Sequence, residues 1–134
     1  MSLQTDVVSW FQNNTAITAV IPFASFWLGL APEGSAFPYA VMTIVASTPT
    51  YVTNGPRDGY IEDFQFQISV YNTDPDACLS AALTIAAQLE GQSISSACMA
   101  VWRLTGPVMV VDSDTPELVY HAYSTFNYQA RISG

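Results

Sequence analysis

The chain has 134 residues, half of them hydrophobic and only 10% charged, with 11 acids, three arginines and no lysine for a net charge of −8. That length predicts a single domain over 1–134 with a sizeable core, and the apolar content excludes disorder as a description of the whole chain. The lack of cations argues against binding to a nucleic-acid backbone or to anionic lipid. Its polar residues are mostly Ser, Thr, Asn and Gln, which bury easily at an interface once hydrogen-bonded. The composition therefore leans toward an oligomer or assembly component, with a neutral-surfaced monomer as the alternative.

In chain order, Thr5 is placed to cap a helix over Thr5–Gln12, with Asp6 at its positive end and Val7, Val8 and Phe11 on its apolar face. Asn13-Asn14 ends it. Thr15 is placed to cap a short helical turn over 16–20, stopped by Pro22. The apolar stretch 16–31 contains Pro22 and Gly29 and is shorter than the roughly 20 residues a spanning helix needs, so no membrane span is predicted. The N-terminus has no basic segment typical of a secretory signal, and Asn13-Asn14-Thr15 is read as an accidental glycosylation match. Phe26–Leu30 reads as a short extended segment and 31–35 as a turn.

Tyr39–Ser47, nearly all apolar or β-branched, is predicted to be a strand buried on both faces. A loop over Thr48–Gly59 follows, holding Pro49, Asn54, Gly55, Pro56 and Gly59. Tyr60–Tyr71 carries the clearest alternation, with Phe64, Phe66, Ile68 and Val70 against Asp63, Gln65, Gln67 and Ser69. Asp74 and Pro75 open an Ala-rich helix to about residue 90, with Leu79, Ala82, Leu83, Ala86 and Leu89 as its inner face and Gly91 as its stop. Cys98–Leu104 reads as a strand interrupted at Gly106-Pro107 and resumed over Val108–Val111. Asp112–Glu117 is an acidic turn. The closing strand, Leu118–Ile132, has Tyr120, Ala122, Ser124, Phe126, Tyr128 and Ala130 on one face. At ~45 Å it overshoots a small sheet, so a bend, a bulge or an end reaching into a neighbour is expected. The fold class is α+β: a mainly antiparallel sheet of about four strands, order α-(α)-β-β-α-β-β, with helices packed on one face.

Catalytic groupings are sparse. His121 is the sole histidine, and a Ser-His-Asp or Cys-His arrangement would have to use it. Cys78 sits near a helix N-terminus, where the dipole favours a thiolate, but its apolar neighbours suit packing; Cys78 and Cys98 read as buried free thiols. Asp112-Ser113-Asp114 with Glu117 resembles the start of a calcium loop without its glycine or closing glutamate. Glu62 and Asp63 are adjacent on a strand and point to opposite faces, so they cannot form an acid–base pair. No phosphate loop and no Cys-x-x-Cys occur. No cofactor, no metal and no enzymatic activity are predicted.

Four local features occur together in one order. A helix leads into the Thr15–Val20 turn. The segment Leu30-Ala31-Pro32-Glu33-Gly34-Ser35-Ala36-Phe37-Pro38-Tyr39-Ala40-Val41 enters the first long strand. The alternating Phe64–Tyr71 strand runs straight into the Ala-rich helix. Tyr120-His121 opens a closing strand with aromatic alternation to Tyr128. Nearly the whole chain thus resembles the phage tail-completion family, which includes tail terminators of long-tailed phages. Asn13-Asn14-Thr15 departs from the Asp-Pro that the family often carries before its small helical turn. The resemblance implies a structural virion protein, assembled in the host cytoplasm. It would form a homo-oligomeric ring, usually hexameric, at the head-proximal end of the tail tube, touching tube and head connector proteins and reading no nucleic-acid sequence. Another neck component, such as a head–tail joining or minor tail protein, remains open, as does a small ligand-binding domain. Within the 48–59 loop, Tyr51, Asn54, Arg57 and Asp58 are the candidate partner contacts.

Overall fold

The computed structural model describes residues 3–22, 25–29, 37–51, 60–90, 98–112 and 119–132. The elements run α1 (Leu3–Asn13), α2 (Thr15–Thr18), β1 (Phe26–Leu28), β2 (Tyr39–Tyr51), β3 (Tyr60–Asn72), α3 (Pro75–Leu89), β4 (Cys98–Asp112) and β5 (Val119–Ile132). The strands form one sheet in the order β1-β2-β3-β5-β4. All pairings are antiparallel except β1 with β2.

The α+β class and the mainly antiparallel sheet agree with the pattern in the sequence. The strand count differs. The extended segment at Phe26–Leu28 joins β2 in parallel and makes a fifth, so the sheet is mixed. β2 also runs four residues further than predicted, because Thr48–Tyr51 pair with Asp63–Tyr60. Pro49 is tolerated there because, among the described residues, β1 covers β2 only at Ala40–Met42 and leaves the rest of β2 as an edge.

Nor is β2 buried on both faces. Ala40, Val41 and Met42 are buried, whereas 43–48 are exposed. Its unbroken apolar run marks an uncovered edge rather than a central strand. The length of β5 needs no bend of its own, since β3 pairs with it over thirteen consecutive residues without a shift. The irregularity falls on β4, whose register slips at Cys98–Ala100, at Arg103–Thr105 and at Thr105–Val108, the last at the Gly106-Pro107 break seen in the sequence.

One face of the sheet carries the helices. Phe66, Ile68 and Val70 of β3 and Ala122, Phe126 and Tyr128 of β5 share a cluster with Val7, Phe11, Ile17 and Ile21 and the inner side of α3. Phe66 and Phe126 stack across the two strands at 5.5 Å. Phe11 stacks flat on Phe26 at 4.2 Å and ties α1 to β1. α1 starts at Leu3, so Thr5 lies inside it rather than at its cap. Asn14, not Thr15, caps α2: its Oδ1 accepts from the Ile17 N–H at 3.2 Å, and its side-chain amide donates to Gln88 of α3.

α3 begins as the sequence indicates, with Asp74 accepting from the Asp76 N–H at 3.1 Å and Pro75 in the first turn. Its buried side is Cys78, Ala81, Ala82, Ile85, Ala86 and Leu89, while Leu79 and Leu83 face outward. The helix is thus rotated from the predicted face. Small alanines turn inward because they let its backbone approach the sheet closely. The predicted stop, Gly91, lies outside the described residues, as do 113–117 of the acidic turn.

Candidate functional site

The other face of the sheet carries no helix among the described residues. Strand alternation puts Tyr39, Val41 and Thr43 of β2, Asp63, Gln65, Gln67, Ser69 and Tyr71 of β3, and the odd-numbered residues 121–129 of β5 on it. It divides into three areas.

At the end nearest the start of α3, aromatic rings cross the strands in a row. Phe37 stacks on Tyr39 at 5.4 Å, Tyr39 on Tyr71 at 4.9 Å and Tyr71 on His121 at 4.4 Å; His121 in turn lies 5.4 Å from Tyr123. Beside the row lies a shallow hollow of about 230 Å³ bounded by Tyr39, Thr43, Gln67, Ser69 and His121. Gln67 donates to Ser69 Oγ across its floor at 3.2 Å.

Toward the far end the face is a carpet of amides. Asn127 and Gln129 both donate to Asp63 Oδ1, at 3.3 and 3.0 Å. Along the sheet edge, β4 exposes Trp102, Leu104, Val108 and Val110. The predicted elements place no surface feature on this stripe. The signal for it is in the sequence: residues 39–51 and 98–111 hold one charge between them, Arg103.

The only nucleophile–base pair considered from sequence is taken apart by the fold. His121 lies on the open face. Cys78 lies under α3 on the opposite face, fully buried, its thiol donating to the carbonyls of Val70 at 3.3 Å and Tyr120 at 3.4 Å. Burial pushes the Cys78 thiol above its ordinary pKa, partly offset by backbone hydrogen bonds from Ala122 and Asn72. The helix-dipole argument for a reactive thiolate therefore loses to desolvation. Cys78 is a free thiol; the Cys98 side chain lies outside the description. Glu62 and Asp63 do point to opposite faces, being paired with Ala130 and Gln129 in succession. Among the described residues no group of three or more His, Cys, Asp or Glu side chains could hold a metal ion, and no helix is long and apolar enough to cross a membrane. Of the predicted contact residues, Tyr51 is the last residue of β2, paired with Tyr60. Asn54, Arg57 and Asp58 lie outside the described residues.

A long sheet with helices on one face and a sparsely charged edge defines a scaffold that presents surfaces. The comparison with known families agrees. The profile of the family described as Tail completion protein gp17 matches residues 5–133, so the chain belongs to that family and has a structural role in completing phage tails. Among solved structures, a chain of the virion of a native gene transfer agent particle is similar in fold. The match has a TM-score of 0.65 at 17% identity and covers 99% of this chain and 96% of that one. No curated protein matches the chain.

Proposed function

We propose that this chain, as one domain, forms a ring at the head-proximal end of a phage tail tube, with six copies as the family resemblance implies. There it ends growth of the tube and offers a face to the head connector. The observation that carries this reading is the family match over residues 5–133, which takes in every helix and strand but the first residues of α1. The ring is built in the host cytoplasm and ends in the neck of the virion. It catalyses nothing and holds no cofactor. Tyr51, Asn54, Arg57 and Asp58, at and beyond the end of β2, contact a neighbouring copy or a tail protein. A net charge of −8 keeps DNA from adhering as it passes.

The test is to produce particles without the protein and examine them by electron microscopy. Tubes of uncontrolled length beside unjoined heads are expected. Tubes of normal length beside unjoined heads would move the protein to another neck position, and normal joined particles would refute the proposal. Native mass spectrometry of the purified chain over a concentration range gives the ring size.

A further inference from the structure

We propose that copies of this chain join head to tail through the sheet itself, the outer edge of β4 in one copy pairing antiparallel with the free edge of β2, over Thr43–Thr48, in the next. This rests on the ring reading above and names the surface that closes the ring.

Strand direction is the first argument. β2 and β5 run one way, β3 and β4 the other, and β4 and the β1–β2 pair form the two sides of the sheet. Rotation about an axis parallel to the strands keeps every strand direction. The β4 of one copy then meets the β2 of the next antiparallel, the better-bonded arrangement.

Height along the strands is the second. Following the pairing across the sheet, Val101 shares a rung with Tyr128, Phe64 and Ser47; Trp102 with Asn127, Gln65 and Ala46; and Arg103 with Phe126, Phe66 and Ile44. The first half of β4 and the uncovered part of β2 therefore lie level on opposite edges. The edges also match in outline. On the β2 side, β1 adds an extra strand up to the Leu28–Met42 pair, so the edge steps inward at Thr43. On the β4 side, the register slips between Cys98 and Ala100, between Arg103 and Thr105 and most widely between Thr105 and Val108, and Thr105 shares the rung of Thr43 through Thr125 and Gln67. A strand laid along a stepped edge must bend where the step is, and a bulge supplies that bend.

Charge and exposure are the third. A chain at −8 resists its own copies wherever acid meets acid. All 11 acids lie outside 39–51 and 98–111. The facing stretches expose apolar side chains instead: Ile44 at 39%, Val45 at 57%, Trp102 at 39% and Leu104 at 46%. Edge strands that must stay unpaired are guarded by charge or proline. Here Arg103 is drawn aside to Glu90 of α3 at 3.6 Å, and Pro49 falls just past the stretch proposed to pair.

The experiment uses the full chain in a Cys98→Ser background, with Cys78 buried and inert. Ala46→Cys or Thr48→Cys is combined with Trp102→Cys or Leu104→Cys, the alternatives bracketing a small offset in register. Paired strands bring Cα atoms to about 4.5–5.5 Å, within reach of a disulfide. Mild oxidation is expected to give a reducible ladder running past the dimer for at least one double variant, and no ladder for the single variants. No ladder from any double variant overturns the proposal. So does a Trp102→Cys dimer that forms as readily as the ladder, since it would mean two β4 edges meeting about a two-fold axis. Independently, Val45→Lys and Trp102→Lys are each expected to weaken self-association at least tenfold with the monomer's melting temperature unchanged; unaltered association overturns the pairing. If the unmodified protein completes tails while no double variant ladders, the edge pairing fails and the tail-completion reading stands. If the unmodified protein also fails to complete tails, both fall.

Discussion

Replacing Gly106 by alanine tests whether the break in β4 is a built feature of the sheet. Gly106 has φ +98°, a conformation L side chains rarely adopt, and a Cβ there would lie 2.6 Å from the Tyr123 carbonyl oxygen and 2.8 Å from Ser124 Cα. Both are backbone atoms of β5, the strand that β4 pairs with, so no rotamer change relieves the clash. Backbone strain of this kind costs about 1–3 kcal/mol, and forcing atoms into a packed site about 1–3 kcal/mol more. The sum, roughly 2–6 kcal/mol, is a large share of the 5–15 kcal/mol typical of a domain. At roughly 4 °C per kcal/mol for a chain of this size, melting should fall by about 8–24 °C. Gly29 supplies the control. It has φ +82° but nothing within 4 Å of a built Cβ, so Gly29→Ala bears the backbone cost alone and should lose about 1–3 kcal/mol. Thermal and urea unfolding followed by circular dichroism measures both. Equal losses in the two variants would refute the argument from the β5 clash.

Other outcomes follow from the same geometry. Asp74→Ala removes the cap on α3 and should cost about 1 kcal/mol in urea unfolding. Phe126→Ala empties a fully buried site stacked on Phe66; a loss of about 3–5 kcal/mol is expected, read as a lowered urea midpoint. Cys78 has a raised folded-state pKa, so its contribution is intact below the unfolded thiol pKa. It is lost as pH rises through the folded value, because the unfolded chain gives up that proton first. Stability measured from pH 8 upward should therefore decline less steeply in Cys78→Ala than in the unmodified protein. The native Cys78 thiol should also resist alkylating reagents until the chain unfolds. Arg103→Ala breaks a half-exposed pair with Glu90, and a melting shift of more than a few degrees would contradict the weak coupling expected of it.

The parts of the fold written most plainly in the sequence are those set by local periodicity and caps. β3 is legible from Phe64–Val70 because one side is covered and the other is not, and α3 from Asp74-Pro75 because that pair suits only a helix start. β2 misleads because Val41–Val45 is apolar or β-branched on both sides, a pattern shared by a central strand and by an edge left uncovered. Sequence alone does not separate the two without knowing what lies alongside. Phe26–Leu28 is too short to announce a strand, and its pairing depends on where Ala40–Met42 happens to pass. The inner face of α3 differs from the one its leucines predict for a tertiary reason: alanines allow close approach to the sheet, so Leu79 and Leu83 turn away. On the site, the opposed faces of Glu62 and Asp63 and the polar-face position of His121 follow from alternation. The row of rings does not, since Tyr39, Tyr71 and His121 are brought together only by the register of three strands.

That row also acts as a gauge of alignment. Slipping β3 by one residue would turn its apolar side outward, which burial forbids. A slip of two keeps every residue on its proper face, and the amide-rich side from Asp63 to Ser69 would tolerate it with little complaint. The rings do not. Two residues of slip would set Ser69, in place of Tyr71, against His121 and break the row on the open face, even though Phe64 would then replace Phe66 opposite Phe126 on the core face. The aromatic row thus serves as a vernier for the alignment of β3 with β5, rejecting the one class of misalignment that hydrophobic alternation cannot detect.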